Sequence, residues 1–479
     1  MTDQVVPDTT QYPEIAANPK AVDGELYAAF RSCKVPSYLD ALAVPEAIDK
    51  AAREKFKKNR QAPALVYPHA SLSAALTSLR QLDAMAEFVK DNATGVLQDL
   101  YLAAVADATA TARLVECIAT LYEGRWTQDV YARYYMRANE AAFGRPSELA
   151  FNYVLTQFGT AAEQLLAASE DLVVQAASRV LELLPEPTAS ITLTLPSPEV
   201  VTEARTRLLF RRGVWDFIDL DKDYTSEDMA EAFRQMLHAM GYDHWKVQVE
   251  GHDKSVVTTS WPDTTIFIPP GKIYPGKRVV ELAAHELGHV ESHEVGLAGR
   301  CLLLGIGFPG YDSPEEGAQM VAEQSVVATP GSSIEEFAHL DRLLAVGLAL
   351  GLDGTPRNFA QVFAILEPIK QMDAFARGKS ESVAFNNAWM RNRRTFRGGD
   401  AETPGVCLIK DHGYTEYNIR CWMGLEQFPW LNDVMDVGKF DRTSVRDLGW
   451  LHELGILADH GVSTEQYQAF AKSDLAAIA

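Results

Sequence analysis

Cysteine is scarce in this chain, with five in 479 residues, at positions 33, 117, 301, 407 and 421. No two of them stand as CxxC, which excludes a zinc knuckle or a dithiol redox centre and leaves reduced thiols in a cytoplasmic protein as the expectation. Long hydrophobic runs are lacking too. The longest strongly apolar stretch, Leu343 to Leu352 (LLAVGLALGL), is about half the ~20 residues that cross a bilayer. The opening MTDQVVPDTTQYPEIAANPK carries neither the basic nor the apolar segment of a secretory signal. Positive charge is in deficit: 44 Lys and Arg against 65 Asp and Glu leave a net charge of −21, which repels nucleic-acid phosphates and anionic lipid. A soluble, cytoplasmic protein that binds neither nucleic acid nor membrane is expected. No repeat or low-complexity tract stands out.

What is present is mostly helical pattern, in a composition 47% hydrophobic and 23% charged that can bury a large core. Residues 1–35, rich in Pro, Asp, Thr and Asn, read as an irregular arm. From 36 to 200 a helical region is expected. Leu79, Leu82, Met85 and Phe88/Val89 recur at helical spacing, 97–124 is a long Ala- and Leu-rich helix closing at Gly, and Leu165 to Leu184 suggests another, stopped by the PEP at 185–187. The alternating ITLTLPSP (191–198) reads as a strand at the handover to a second unit, 201–350. There Thr225 and Asp228 form a capping-box start, Met229, Phe233, Met236 and Met240 an apolar stripe, and Gly241 a stop. Three short strand candidates, 245–250, 255–260 and 264–270, suggest a small antiparallel sheet. Helix returns at 278–295, 333–352, 358–377 and 443–456, the last two inside a C-terminal helical region, 351–479. The fold class expected is helix-rich α+β.

The strongest chemical signal is His285-Glu286-Leu287-Gly288-His289, an HExxH within the helix expected at 278–295. Residues i and i+4 lie about 40° apart around a helix and about 6 Å apart along it, so both imidazoles converge on one Zn²⁺. Glu286, beside the first His, is placed as a general base that takes a proton from water and returns it to a leaving amine. The chain holds its own decoys: HELGI at 452–456 lacks the second His, and His293-Glu294 has Leu297 where a partner would stand.

A catalytic zinc site wants three protein ligands and one open position. A third ligand is expected from a carboxylate on a following helix. In YDSPEEGAQMVAEQ (311–324), Ser313 reads as N-cap and Pro314 as the first helical residue, which puts Glu315 and Glu316 in the first turn. Glu316 is the leading candidate, with Glu315 and Glu323 as alternatives; His293, eight residues after His285, would be a fourth ligand if the site were a closed structural one.

HELGH, GFPGYDSPEEGAQMVAEQ (307–324), RRTFRGGDAETPGVCLIKDHGYTEY (393–417) and DVGKF (436–440), in that order, resemble the metallopeptidases that include the microtubule-associated tyrosine carboxypeptidases and their bacterial relatives. The likeness spans about 205–456. It implies a zincin-like core, Zn²⁺ as cofactor with His285, His289 and Glu316 as ligands, Glu286 as base, and a peptide or protein substrate that loses its C-terminal residue. Two positions differ from that pattern. The second His stands at 289 where those relatives have it one place later, and Glu315 stands where they tend to have Gln.

A carboxypeptidase needs a fixed cation for the terminal carboxylate. RNRRTFRGG offers Arg391, Arg393, Arg394 and Arg397, and the guanidinium fork matches a carboxylate. Arg397 is the first choice and Lys410 the second, with Tyr414 or Tyr417 as donors to the oxyanion. The strand near 264–268 is expected to edge the cleft. Acidic tubulin tails would need the Arg cluster for local attraction. The same metal site would also serve an endopeptidase, or an aminopeptidase using Glu315 or Glu323 for the substrate ammonium.

Overall fold

A computed structural model describes residues 11–167, 170–189, 191–212, 217–250 and 256–473. The protein is a helix-rich α+β molecule with five short strands among the described residues. One apolar core runs from Leu26 to Phe470, so helices from 36–200 and from 351–479 pack together. Phe56 shows the joining: its ring lies 5.2 Å from Phe359, 4.7 Å from Phe363 and 5.5 Å from Trp389. The apolar run at 343–352 lies in the helix Leu340–Leu350, most of whose residues are buried. It is apolar on nearly every side because it runs through the core. No helix is long and apolar enough to cross a membrane among the described residues.

A second, smaller core carries the site. Met229, Phe233 and Met236 of the helix Ser226–Ala239 meet Val247, Ile266 and Ile268 from a sheet and Val279, Val280, Ala283 and Leu287 from the helix Gly276–Ala298. The capping box at Thr225 and Asp228 is formed as the sequence implies. Strand β1 (Asp223–Thr225) pairs antiparallel with β5 (Ile273–Pro275), placing Tyr224 opposite Tyr274. The other three strands, β2 (Lys246–Gln248), β3 (Thr258–Ser260) and β4 (Thr265–Phe267), form one sheet in the order β2-β4-β3. The expected antiparallel pair is β3–β4, and β2 joins β4 in parallel. Strand β4 is therefore central, and β3, not the strand near 264–268, is the edge beside the HExxH helix.

Four local expectations are corrected. The N-terminal arm, of which 1–10 lie outside the described residues, holds helices Pro13–Ala17 and Gly24–Ser32, the second burying Leu26, Tyr27, Ala28 and Ala29; short amphipathic turns are masked by the polar residues around them. The apolar series from Leu165 to Leu184 belongs to two helices, Glu148–Leu165 and Asp171–Leu183, and Leu166 and Leu172 are exposed. ITLTLPSP is no strand. Residues 191–197 alternate in burial without a partner strand, because the alternation records packing of Ile191, Leu193 and Leu195 on the core. The helix expected to be capped by Ser313 and to start at Pro314 starts at Asp312, two residues earlier, with Pro314 still among the first-turn positions whose N–H has no helical acceptor.

Asp23 ties the N-terminal helices to the turn behind the HExxH helix. Its buried carboxylate accepts from Tyr101 Oη at 2.7 Å, Leu302 N at 3.0 Å, Leu303 N at 3.2 Å and Cys301 Sγ at 3.2 Å. Asp23→Ala strands several buried donors at once and is expected to lower stability by about 2–4 kcal/mol. The drop is read as an earlier midpoint in urea denaturation; an unchanged midpoint would refute this role.

Candidate metal centre

The HExxH helix runs Gly276–Ala298, and its apolar positions at three- and four-residue spacing seat it on the smaller core. The opposite face carries His285 and His289. Beside it lies the acidic helix Asp312–Val327, whose Gln319 side-chain amide occupies the space that a Cβ on Gly288 would enter. Glycine inside HELGH is thus a packing requirement. The helix Gly413–Gln427 closes on the other side of the acidic helix, where Gly317 leaves room for Tyr417 Cβ, 2.4 Å from where its own Cβ would be.

This stacking brings three ligand atoms together. His289 Nε2 lies 3.3 Å from His285 Nε2, and Glu316 Oε2 lies 3.3 Å from His285 Nε2 and 3.8 Å from His289 Nε2. His285, His289 and Glu316 form a group able to hold a metal ion among the described residues. A tetrahedral site with bonds of about 2.0–2.1 Å has ligand–ligand edges of about 3.3–3.4 Å, which is the separation seen for the closer pairs. Of the three glutamates considered, Glu316 faces both Nε2 atoms.

Glu315 and Glu323 take a different place. Glu323 Oε2 lies 3.4 Å from His285 Nδ1, and Glu315 Oε1 lies 3.4 Å from His289 Nδ1. His285 Nδ1 has no formed hydrogen bond, so at these distances the carboxylates favour a proton on the Nδ1 side by their charge and leave the Nε2 lone pairs pointing at one another and at Glu316. Three lone-pair donors converging in this way repel unless a cation or a proton lies between them. Burial opposes charge on His285, yet Glu316 and Glu323 outweigh it and raise its pKa to about 10. Burial also pushes Glu316 up, but both histidines and Lys410 hold it well below the carboxylate range. The donor set fits a divalent metal ion.

Each flanking carboxylate has its own cation. Arg442 donates to Glu315 Oε2 at 2.6 Å and is itself held by the carbonyls of Met435, Gly438 and Phe440, at 2.7, 3.0 and 3.0 Å. The loop around DVGKF therefore aims Arg442 at the acidic helix. Arg278 pairs with Glu323, whose pKa settles at about 2 because its cationic neighbours overcome its burial. His293 is elsewhere as well: its Nδ1 meets the Gly305 carbonyl at 2.8 Å and its ring stacks on Trp261.

Glu286 accepts a 2.7 Å hydrogen bond at Oε2 from Thr259 Oγ1 on the edge strand β3. Lys410 is drawn towards carboxylates of the acidic helix. Its buried Nζ lies 3.2 Å from Asp312 Oδ2 and 3.7 Å from Glu316 Oε1, and Tyr38 Oη donates to the same Asp312 oxygen at 2.6 Å. Tyr414 lies between cations, with Arg342 Cζ 3.5 Å and Lys410 Nζ 5.9 Å from its ring centre. Burial first, then the nearby Glu316, raises its pKa and keeps the phenol protonated.

Two candidates stand apart from this group. Tyr417 packs beneath the Arg420 guanidinium, 4.9 Å from the ring centre. Arg397 is grouped with Tyr67 and Tyr135, whose hydroxyl donates to the Arg397 carbonyl. The arginines before it are the ones near the site: Arg394 forks onto Asp411 at 2.8 and 3.0 Å, and Arg391 Nε reaches Asp341 at 2.7 Å. Thr259 and Arg342 were not visible as site residues in the sequence. Arg342 left one trace, a cation beside Asp341 at the start of a helix that is apolar from Leu343 onward.

Gly288→Ala is expected to push the buried Gln319 amide off Glu315, to which it donates at 3.1 Å, at a cost of about 1–3 kcal/mol of stability. A melting temperature equal to that of the parent protein would contradict the close approach.

A family model described as microtubule-associated tyrosine carboxypeptidase matches residues 218–474, which include the whole of the smaller core's sheet, the HExxH helix, the acidic helix and the Lys410–Tyr417 segment. No curated protein and no solved structure matches the chain. The matched segment is more than half of the 479 residues, and the chain belongs to the microtubule-associated tyrosine carboxypeptidase family.

Proposed function

We propose that this protein is a zinc-dependent carboxypeptidase that removes the C-terminal residue of a peptide or protein. The observation that carries the metal assignment is the convergence of His285 Nε2, His289 Nε2 and Glu316 Oε2 at 3.3–3.8 Å. Zinc held by these three atoms would polarise the scissile carbonyl and make a water acidic enough to attack near neutral pH. Glu286, oriented by Thr259, takes the proton from that water and delivers it to the departing amine. Tyr414, kept protonated by its burial, donates to the oxygen that becomes negative in the tetrahedral intermediate. Lys410 holds Glu316 from behind and so positions a ligand without touching substrate.

Exopeptidase action at the C-terminus is the reading that family membership supports. The family's description names a terminal tyrosine and microtubules, and a tyrosine-ended peptide is accordingly the first substrate to offer. The commitment of Glu315 to Arg442 and of Glu323 to Arg278 speaks against the aminopeptidase alternative. The position of His293 against Gly305 speaks against a closed structural zinc.

Glu286→Gln is expected to bind one zinc per chain and to lose at least about 100-fold in the release of C-terminal residues from a peptide library, read by mass spectrometry. Internal cuts or N-terminal trimming by the parent protein would overturn the exopeptidase reading. Glu315→Gln and Glu323→Gln are expected to weaken zinc binding by about 10–100-fold, measured by chelator competition, through loss of the carboxylate on each imidazole Nδ1.

A further inference from the structure

Arg342 differs from Arg278, Arg391, Arg394, Lys410 and Arg442, each paired with a carboxylate, in what it lacks. It lies in the first turn of the helix Leu340–Leu350, the end at which the helix dipole disfavours a cation. Its Nε and Nη1 are buried without a hydrogen-bond partner. Its Nη2 lies 3.4 Å from Nε2 of His339, whose pKa burial lowers to about 3, so that this neighbour is a neutral imidazole. The two nearby carboxylates are already engaged. Asp341 is taken by Lys370 at 2.6 Å and by Arg391, and Asp411 by the fork of Arg394. Four cations thus surround two carboxylates, in a protein whose overall charge is −21. Buried guanidinium N–H groups left unpaired are costly, and an anion is what the cluster lacks.

The position suits one anion in particular. Three links of 3.5, 5.9 and 3.7 Å lead from Arg342 Cζ through the Tyr414 ring and Lys410 Nζ to Glu316 Oε1. These contacts place the open guanidinium against Tyr414, the residue read above as the donor to the reacting carbonyl oxygen, so a carboxylate bound by Arg342 would belong to the residue beside the scissile bond. We propose that Arg342 is the receptor for the terminal carboxylate of the substrate, the specificity-determining residue that confines this site to C-terminal residues. The proposal rests on the peptidase reading above and assigns to Arg342 the part that sequence reasoning gave to Arg397. The competing cation is Lys439, whose Nζ lies 5.8 Å from the ring centres of Trp261 and Tyr311. It is a point charge, whereas Arg342 offers a planar fork with open N–H groups.

The test compares an N-acetylated tetrapeptide ending in tyrosine with the same peptide as its C-terminal amide, using the full chain loaded with zinc. Calorimetric binding to the Glu286→Gln protein is expected to favour the acid by at least tenfold. Adding Arg342→Met should abolish that preference, and Arg342→Lys should restore part of it. In the active protein Arg342→Met should lower kcat/KM for the acid at least tenfold more than for the amide, which a merely structural defect, falling equally on both peptides, would not do. Should Arg342→Met fail to fold, Arg342→Lys is read alone, with at least a tenfold fall in the acid-to-amide ratio of kcat/KM expected. An acid preference that survives in folded Arg342 variants, or that Lys439→Met removes instead, overturns the proposal and leaves the peptidase reading standing. Arg342-dependent binding of the acid by a protein that hydrolyses neither peptide supports the carboxylate receptor and defeats the peptidase reading.

Discussion

The close contact between the HExxH helix and the acidic helix is the constraint on which the site depends. One helix supplies two imidazoles by its own period, but a third ligand has to come from elsewhere in the chain. Its distance is set by how near the second helix can lie. At Gly288 there is no space for even one methyl group before Gln319 is reached, and the same device recurs where Gly296 meets the backbone of Gly305 and Gly317 meets Tyr417. Three glycines let four chain segments stack closely, with the Gln319 amide lying over Gly288, and Glu316 reaches the imidazoles from the acidic helix so placed.

Around that stack the charges are paired in a definite order. Glu315 faces Arg442, Glu323 faces Arg278, and Glu316 faces Lys410 on the side away from the imidazoles. Buried ion pairs of this kind contribute little net stability, because desolvation offsets much of their attraction. Their effect here is positional, since each carboxylate is held in one orientation against a particular imidazole nitrogen. The arginines of RNRRTFRGG obey the same logic: Arg391 and Arg394 are drawn into the interior by Asp341 and Asp411. They do not form a solvated basic loop.

The helices that precede residue 218 share in this arrangement although the family match begins there. Tyr38 donates to the Asp312 oxygen that also holds Lys410, and Asp23 fixes the turn at Cys301–Leu303 behind the HExxH helix. The large core joins these helices to those of 351–470. Support for the site thus comes from both ends of the chain.

Much of the fold was legible where a single element carries its own signal. The helix at 226–239, with its capping box and apolar stripe, and the helix containing HELGH follow from local periodicity. Legibility failed where pattern and pairing part company. The alternation of 191–197 marks side chains on a core without any neighbouring strand, and 24–32 is a helix whose apolar face is short. It also failed for the sheet order, since three similar short strands do not reveal which of them is paired on both sides.

What the sequence determined by itself is the pair of histidines with Glu286 between them, because a 3.6-residue period brings i and i+4 together in any α-helix. It also determined that carboxylates would open the following helix, and that the arginines would be few against so much negative charge. Tertiary structure alone decided which of Glu315, Glu316 and Glu323 faces the Nε2 atoms, that Lys410 is bound to two carboxylates, and that two guanidinium nitrogens of Arg342 are buried without a hydrogen-bond partner. Those outcomes depend on contacts between segments far apart in the chain, and on the competition among many buried charges for a few partners, which no local spacing encodes.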